Sequence, residues 1–264
     1  MSLILQDTRW IGKQRYHFEE IDSTNKKAKE LIYLNDIHGI LVTADSQTAG
    51  VGRRGRSWSS EKKTGIYMSL LLKPDIQADR ASMLTLVAAL AVNASINELL
   101  QINHSEKQAQ IKWPNDIVIN GKKICGILTE MTLNGSRIEA VIIGIGINVS
   151  NTVFHEEIAA TASSLYLETG VLYEQELLIQ DIWKKFEEYY AQFIETGNLC
   201  LLKEEYESYL VNKNEKVKVL DPKGEYTGVA KGITNTGELL VDTETGLETV
   251  SGGEVSVRGI YGYV

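Results

Sequence analysis

Residues 110–148 read Gln-Ile-Lys-Trp-Pro-Asn-Asp-Ile-Val-Ile-Asn-Gly-Lys-Lys-Ile-Cys-Gly-Ile-Leu-Thr-Glu-Met-Thr-Leu-Asn-Gly-Ser-Arg-Ile-Glu-Ala-Val-Ile-Ile-Gly-Ile-Gly-Ile-Asn. Apolar strand formers fill 110–113, 117–119, 124–131 and 138–148, and turn residues fill the gaps at Pro114, Asn120-Gly121 and Asn134-Gly135. Asn-Gly is the strongest short hairpin signal, because both central residues of a type I′ turn need positive φ. The stretch therefore predicts an antiparallel meander.

Outward from it, the apolar run at 84–100 predicts a core helix, and 39–44 and 66–72 predict strands. Residues 22–25, Asp-Ser-Thr-Asn, offer N-cap side chains to a helix over 26–31. Helices are expected at 174–194 and 201–210. From Glu215 the text changes to short strands at 216–220, 226–233, 239–242, 248–251 and 254–258, separated by turns such as Asp221-Pro222-Lys223-Gly224. The expectation is an α+β fold, a mixed and largely antiparallel sheet packed on helices, with a small C-terminal SH3-like β-barrel. The boundary is placed at 212/213, giving units 1–212 and 213–264.

The 264 residues carry 27 Lys+Arg against 35 Asp+Glu, a net charge of −8, with 43% hydrophobic and 23% charged residues. That composition is globular rather than disordered. It also argues against a dedicated nucleic-acid binder, whose surface is usually basic. Any cationic site must be local. Cys125 and Cys200 make neither a disulfide framework nor a metal site, so a cytoplasmic location is expected and no metal-ligating residues are assigned. Residues 1–10 lack a basic and then apolar leader pattern. The run at 84–100 is interrupted by Thr85, Asn93, Ser95, Asn97 and Glu98, which reads as a buried helix rather than a membrane span. His17, His38, His104 and His155 fall outside every cluster and receive no role.

Local cations do occur. Residues 47–60 read Gln-Thr-Ala-Gly-Val-Gly-Arg-Arg-Gly-Arg-Ser-Trp-Ser-Ser, placing Arg53, Arg54 and Arg56 close together with no acid in between. Gly50, Gly52 and Gly55 fit the string G-x-G-x-x-G, but a dinucleotide site needs a helix opening within the motif, and here a strand follows. A kinase loop is excluded too, since no His-Arg-Asp or Asp-Phe-Gly follows. Glycines that let backbone approach a ligand, with arginines that match carboxylate and phosphate oxygens, suit an anion site; a solvated surface loop is the competing reading. Trp58 has two readings as well, stacking on a base or packing in the core.

A second cluster is Lys112-Trp113-Pro114-Asn115-Asp116, followed by Lys122-Lys123 just past the Asn120-Gly121 turn. The plain readings are an Asx-type turn and a pair of solvated lysines. The hairpin nonetheless folds 124–126 back beside 117–119, which brings Asp116 and Lys123 to one end of the sheet. Gly144-Ile145-Gly146-Ile147-Asn148 adds a strand with two side chains missing, a mark of either close approach or a β-bulge.

Taken together, Ser23-Thr24-Asn25, the 47–58 loop, 112–116, Lys123-Ile124-Cys125-Gly126-Ile127-Leu128 and 144–148 resemble, in order and spacing, the biotin protein ligases, also called biotin–[acetyl-CoA-carboxylase] ligases or holocarboxylase synthetases. The resemblance runs from about Gly12 to Arg258. It implies a class II aminoacyl-tRNA synthetase-like catalytic domain. It also implies activation of biotin by ATP, with Mg²⁺, to biotinyl-5′-AMP, then acyl transfer to one lysine of a biotin carboxyl carrier domain.

On that resemblance Ser23, Thr24, Asn25 and Gln47 hold the ureido end of biotin, while Gly50, Val51, Gly52, Gly126 and Gly144 shape its slot. Arg53 meets the biotin carboxylate and the α-phosphate, Lys123 the carboxyl or anhydride oxygens, and Lys112 the phosphate. Arg54, Arg56, Trp58, Asn115, Asn148 and Arg258 belong to the ATP side, with Trp58 covering the adenine. Asp116 is expected to orient the acceptor amine or take its proton, completing a catalytic set of Arg53, Lys112, Asp116 and Lys123.

Val51 departs from the family pattern, which usually has arginine there, and so weakens the expected hold on the adenylate. Only residues 1–21 precede Asp22, too few for the helix-turn-helix that some members carry, so a form without that domain is expected, whether native or truncated, and no DNA binding by this chain. No membrane partner is expected, and dimerisation is left open. The nearest rival is a lipoate-protein ligase with the same acyl-adenylate chemistry. A non-catalytic adaptor or nucleic-acid binder is the rival from another class.

Overall fold

The computed structural model describes residues 5, 7–222, 224–253, 255–260 and 262–264. Lys223 of the expected 221–224 turn and Glu254 of the expected last strand lie outside the described residues.

The chain order is β1 (Arg15–Phe18), α1 (Thr24–Glu30), β2 (Ile40–Ala44), β3 (Gly65–Leu72), α2 (Met83–Ile102), β4 (Ala109–Lys112), β5 (Asp116–Ile119), β6 (Lys122–Asn134) and β7 (Arg137–Asn148). Then come α3 (Glu156–Ala159), α4 (Leu165–Thr169), α5 (Gln175–Thr196), α6 (Lys203–Ser208), β8 (Lys216–Asp221), β9 (Gly224–Ile233), β10 (Leu239–Thr243), β11 (Gly246–Val250) and β12 (Ser256–Gly259). Among the described residues the strands form a seven-stranded sheet, β1-β2-β3-β7-β6-β5-β4, and a five-stranded sheet, β11-β10-β9-β8-β12. The first sheet is antiparallel except for β1, which runs parallel to β2. The mixed, mainly antiparallel architecture matches the sequence expectation.

The meander forms as expected, with one turn placed differently. Asn120 and Gly121 have φ of 50° and 74°, the type I′ pattern. In the second hairpin Asn134 pairs with Arg137, so the central residues are Gly135 and Ser136, and only Gly135 has positive φ. A II′-type turn needs glycine only at its first central position, and a register shift at Thr132/Leu133 supplies the offset. The helix expected at 201–210 contracts to α6. Three short elements, β1, α3 and α4, carry too little periodicity to be read from sequence.

The middle of the large sheet, β2 and β3 above all, is buried on both faces. Leu41, Leu70, Leu72, Val141 and Ile143 join a core with α2 and α5; Ile40, Val42, Leu71, Ala140 and Ile142 pack with Ala28, Leu31 and Ile32 of the α1 side. Two covered faces explain why β3 reads as a continuous apolar run rather than an alternating one. Helix 78–102 is long and apolar enough to cross a membrane, but 78% of its most apolar window is buried inside the fold. In α5, Trp183, Phe186 and Tyr190 recur at helical spacing, each burial contributing about 1.5–3 kcal/mol. Its Glu187 is also buried, and its carboxylate accepts the backbone N–H groups of Arg9, Trp10 and Ile11 at 2.6, 2.8 and 2.8 Å.

The α1 face also positions the site. Along β7, Ala140 and Ile142 pack under α1, and the next two residues on that face are Gly144 and Gly146. Ile143, Ile145 and Ile147 meanwhile continue the core on the other face. The Ile-Gly-Ile-Gly-Ile alternation thus keeps the core on one side and opens a trough on the other.

Candidate functional site

The trough leads into a cleft of about 560 Å³, within the range of small-molecule sites. One end is neutral and polar. Ser23 caps α1, its Oγ accepting from Lys26 N at 3.4 Å, so Thr24 and Asn25 start the helix at the cleft. Thr24 N and Oγ1 both donate to Gln47 Oε1, at 2.8 and 3.1 Å, and Gln47 Nε2 donates to Ser60 Oγ at 2.9 Å. Asn25 Nδ2 donates to Glu130 Oε2 at 2.8 Å. Ser69 Oγ lies 2.8 Å from Thr24 Oγ1 and 2.5 Å from Asn25 Oδ1. A Cβ on Gly144 would collide with the Asn25 amide and push it off its contacts with Ser69 and Glu130. Ser69 and Glu130 were missed by sequence reasoning; the single polar residue in the apolar run 66–72 was the available signal for Ser69.

The arginine loop folds as a small hairpin. Bridges join Gln47 to Ser60 and Val51 to Ser57, and the tip is a 3₁₀ turn over Arg53–Gly55. Arg54 and Gly55 have φ of 59° and 70°, a left-handed pair that turns the tip. Arg54 and Arg56 are exposed. Arg53 instead donates to Asn115 Oδ1 at 2.7 Å, to the Gly253 carbonyl at 2.9 Å and to the carbonyl of Gly252. It therefore ties the loop to both the large sheet and the C-terminal sheet's connecting loop. Trp58 lies over the trough: Cβ atoms on Gly126 and Gly146 would fall 2.9 and 2.5 Å from its ring. Its Nε1 is buried without a hydrogen-bond partner among the described residues. Gly50 is buried behind the loop, against the Trp58 carbonyl, and does not line the cleft. Val51 and Gly52 do.

The charged end is built on β4–β6. Lys112 and Asp116 are register partners across a turn holding the cis Trp113–Pro114 bond, and Trp113 Nε1 donates to the Gly237 carbonyl at 2.9 Å. A bulge between β5 and β6 leaves Ile124 without a partner, since Ile117 pairs with Cys125 and Val118 with Lys123. That extra residue resets the alternation. Lys123 and Gly126 consequently share a face; a Cβ on Gly126 would sit 3.0 Å from Lys123 Nζ. Lys123 Nζ is 2.7 Å from Asp116 Oδ1, so the hairpin does bring these two together. Asn115 Nδ2 donates to the same oxygen at 3.1 Å and to the Ile127 carbonyl at 3.0 Å.

Burial sets the electrostatics. Lys112 is 5% exposed, and burial pushes its ammonium down to about 8 despite Asp116. Burial would raise Asp116, but the charges of Lys123 and Lys112 and hydrogen bonds from Lys123 and Tyr263 hold it below the usual carboxylate value. Burial also lowers Arg53. Tyr263 was missed in the sequence; its hydroxyl donates to Asp116 Oδ2, and Lys112 Nζ stands 4.3 Å from its ring centroid. Arg258, on β12, and Asn148, whose Nδ2 donates to the Ser163 carbonyl at 3.0 Å, complete the lining expected from sequence. Phe154, His155 and Ile158 add a wall that sequence reasoning left out. A cleft with neutral amides at one end and fixed cations at the other suits a molecule with a polar head and an anionic tail.

Comparison with known proteins agrees with that shape. Residues 17–148 match the model described as the biotin/lipoate A/B protein ligase family, and 214–258 match the biotin protein ligase C-terminal domain. The bifunctional ligase/repressor BirA of Bacillus subtilis is 38% identical over 252 residues, 95% of this chain and 76% of its own length. The biotin–[acetyl-CoA-carboxylase] ligase of Mycobacterium tuberculosis is 31% identical over 83% of this chain and 79% of its own. A solved biotin protein ligase from Aquifex aeolicus, in complex with biotin and ATP, superposes with a TM-score of 0.80 at 32% identity, covering 94% of this chain and 99% of that one.

Proposed function

The chain belongs to the biotin/lipoate A/B protein ligase family, and from that membership we propose how its cleft performs the reaction. The activity is ATP-dependent biotin protein ligation. Biotin and ATP give biotinyl-5′-AMP and pyrophosphate, and the acyl group then passes to a lysine of a carboxyl carrier domain. The carrying observation is the polarity of the cleft, with Thr24, Asn25 and Gln47 at one end and Arg53, Lys112, Lys123 and Arg258 at the other.

Each end has work to do. The amide and hydroxyl groups of Thr24, Asn25 and Gln47, with Ser23, take the ureido ring, whose N–H and C=O groups they complement. The sulfur-bearing ring and acyl chain run over the trough at Gly126 and Gly144, and the loop residues Gly52 and Val51 close above, with Gly50 supporting the hairpin. Attack of the biotin carboxylate on the α-phosphate brings two anions together. Arg53, Lys112 and Lys123 offset that repulsion with charges already in place. Arg54, Arg56, Asn115, Asn148 and Arg258 face the nucleotide, whose adenine meets Trp58. Among the described residues no group of three or more His, Cys, Asp and Glu side chains is gathered for a metal. Mg²⁺ would come with the ATP substrate, whose phosphates supply oxygen ligands.

In the second step the acceptor's neutral amine attacks the acyl carbon, and the C–O bond to phosphorus-bound oxygen breaks with its electron pair on AMP. Asp116 orients the amine and takes the proton it releases. The carrier is a protein partner, the two units meet near 212/213, and the setting is the cytoplasm. The test is transfer of labelled biotin to a carrier domain with and without ATP, repeated with Arg53→Ala and Lys123→Ala. ATP-dependent labelling that both variants lose supports the reading. Pyrophosphate exchange driven by lipoate and not by biotin overturns it.

A further inference from the structure

Among the described residues both oxygens of buried Asp116 are already engaged. Oδ1 accepts from Lys123 Nζ and Asn115 Nδ2, at 2.7 and 3.1 Å, and Oδ2 accepts from the Tyr263 hydroxyl. Three of its roughly four acceptor sites are taken, and because Asp116 is only 9% exposed an acceptor amine reaches it by moving one of these neighbours aside. Lys123 carries a charge attracted by Asp116, and Asn115 is anchored by its second bond to the Ile127 carbonyl and by the guanidinium of Arg53. Tyr263 is the removable member, because it is half-buried, neutral and borne on a segment outside both sheets. It is nonetheless seated. A Cβ on Gly121 would lie 3.0 Å from Val264 Cγ2, so the segment rests on the Asn120-Gly121 turn. The Tyr263 ring also covers the ammonium of Lys112 at 4.3 Å.

We propose that Tyr263 determines acceptor specificity in the transfer step: its hydroxyl occupies the carboxylate oxygen that the acceptor amine needs, and only an acceptor with docking energy to spare displaces it. Small amines, which have no protein surface to dock, are turned away, and the adenylate is kept for the carrier. Tyr263 touches Asp116 and no reacting atom, so it is a positioning residue. The inference rests on the reading of Asp116 as the group that receives the amine. The chemistry is unchanged by it: the amine nitrogen bonds to the acyl carbon, AMP leaves with the electron pair of the broken C–O bond, and the proton goes to Oδ2.

The experiment starts from enzyme loaded with biotinyl-5′-AMP and freed of excess biotin and ATP. It follows single-turnover transfer to a carrier domain and, separately, to N-α-acetyl-lysine amide. Tyr263→Phe keeps the ring over Lys112 and removes the hydroxyl. With the carrier saturating, so that its docking has already displaced the hydroxyl, the variant is expected to speed transfer to the small amine about tenfold relative to the carrier, the worth of one hydrogen bond to a charged group. A residue that merely holds the fold together would slow both acceptors alike, so an unchanged or lower ratio overturns the proposal. Asp116→Asn distinguishes the two levels. If it loses carrier transfer while Tyr263→Phe leaves the ratio unchanged, Tyr263 alone is misassigned; if it transfers at the parent rate, the role of Asp116 falls and the proposal with it.

Discussion

The hairpin at 47–60 and the strand ends at 112–126 face the same cleft, yet the first leaves Arg54 and Arg56 in solvent while the second buries Lys112, Asn115 and Asp116. In the strand ends Asn115, Asp116 and Lys123 are joined to one another through sheet register, turn and bulge. Of the loop's three arginines only Arg53 is anchored among the described residues, by Asn115 and by carbonyls on another sheet's connection. Buried, prearranged charges act on a developing transition state without reorganising, whereas exposed ones are screened by water and salt. The strand ends should therefore govern chemistry and the loop should govern capture and retention.

The largest effect expected from this contrast is at Lys123. Lys123→Ala should lower single-turnover adenylate formation about 10²–10³-fold, whereas Arg56→Ala at the exposed tip should cost less than about tenfold. Equal losses in the two variants would break the division. Next comes Asp116→Asn, expected to slow transfer to the carrier about 10²-fold while biotin-dependent pyrophosphate exchange changes far less; the same loss in both half-reactions removes Asp116 from the transfer step. Lys112 gives a pH test. Burial lowers its ammonium to about 8, so it loses its charge as pH rises through that value. One pH unit higher, the apparent KM for ATP should be about fivefold larger, and Lys112→Arg, which stays charged, should flatten the profile. Stability responds in the opposite sense. Between about 8 and the unperturbed 10.5 the unfolded chain binds the extra proton, so the fold gains stability as pH rises through that window. A KM profile of Lys112→Arg that still follows the parent's would remove Lys112 from phosphate binding. The smallest effect is at Val51, 49% exposed at the loop. Val51→Arg should slow loss of biotinyl-5′-AMP in a chase about two- to fivefold, the range of a solvated ion pair; indistinguishable release rates would show that this position does not hold the adenylate.

The same contrast explains what was legible in the sequence. Turn chemistry at Asn120-Gly121 and the Ile-Gly-Ile-Gly-Ile string are local signals, and from them came the meander, its antiparallel sense and the approach of Asp116 to Lys123. The bulge at Ile124 was invisible, because nothing in Lys-Lys-Ile-Cys-Gly marks an unpaired residue, although it is what turns Lys123 toward Gly126. Ser69 and Glu130 were hidden inside strands read as core, and Tyr263 lay outside every motif. Its part in the cleft depends on a contact spanning 147 positions of sequence. Arg53 was expected to meet a ligand directly; its bonds to the Gly252 and Gly253 carbonyls depend on how the second sheet docks, which no local pattern records.

One feature of the packing bears on how such an enzyme unfolds. The buried residues of the small sheet, Val217, Val219, Ala230, Val241 and Val257, belong to the same continuous core as Leu86, Trp113 and Leu199. The Trp113 indole donates to Gly237 in the β9–β10 turn, and Glu207 of α6 accepts the Ile233 N–H at 2.9 Å. Two sheets that share an interior have little free energy to gain by separating one at a time. A shared core of this kind predicts unfolding as a single cooperative unit, checked by coincident transitions from probes in each sheet. On that expectation the ties that Arg53 and Trp113 make across the seam share the protection of global unfolding rather than the modest cost of undocking a lobe.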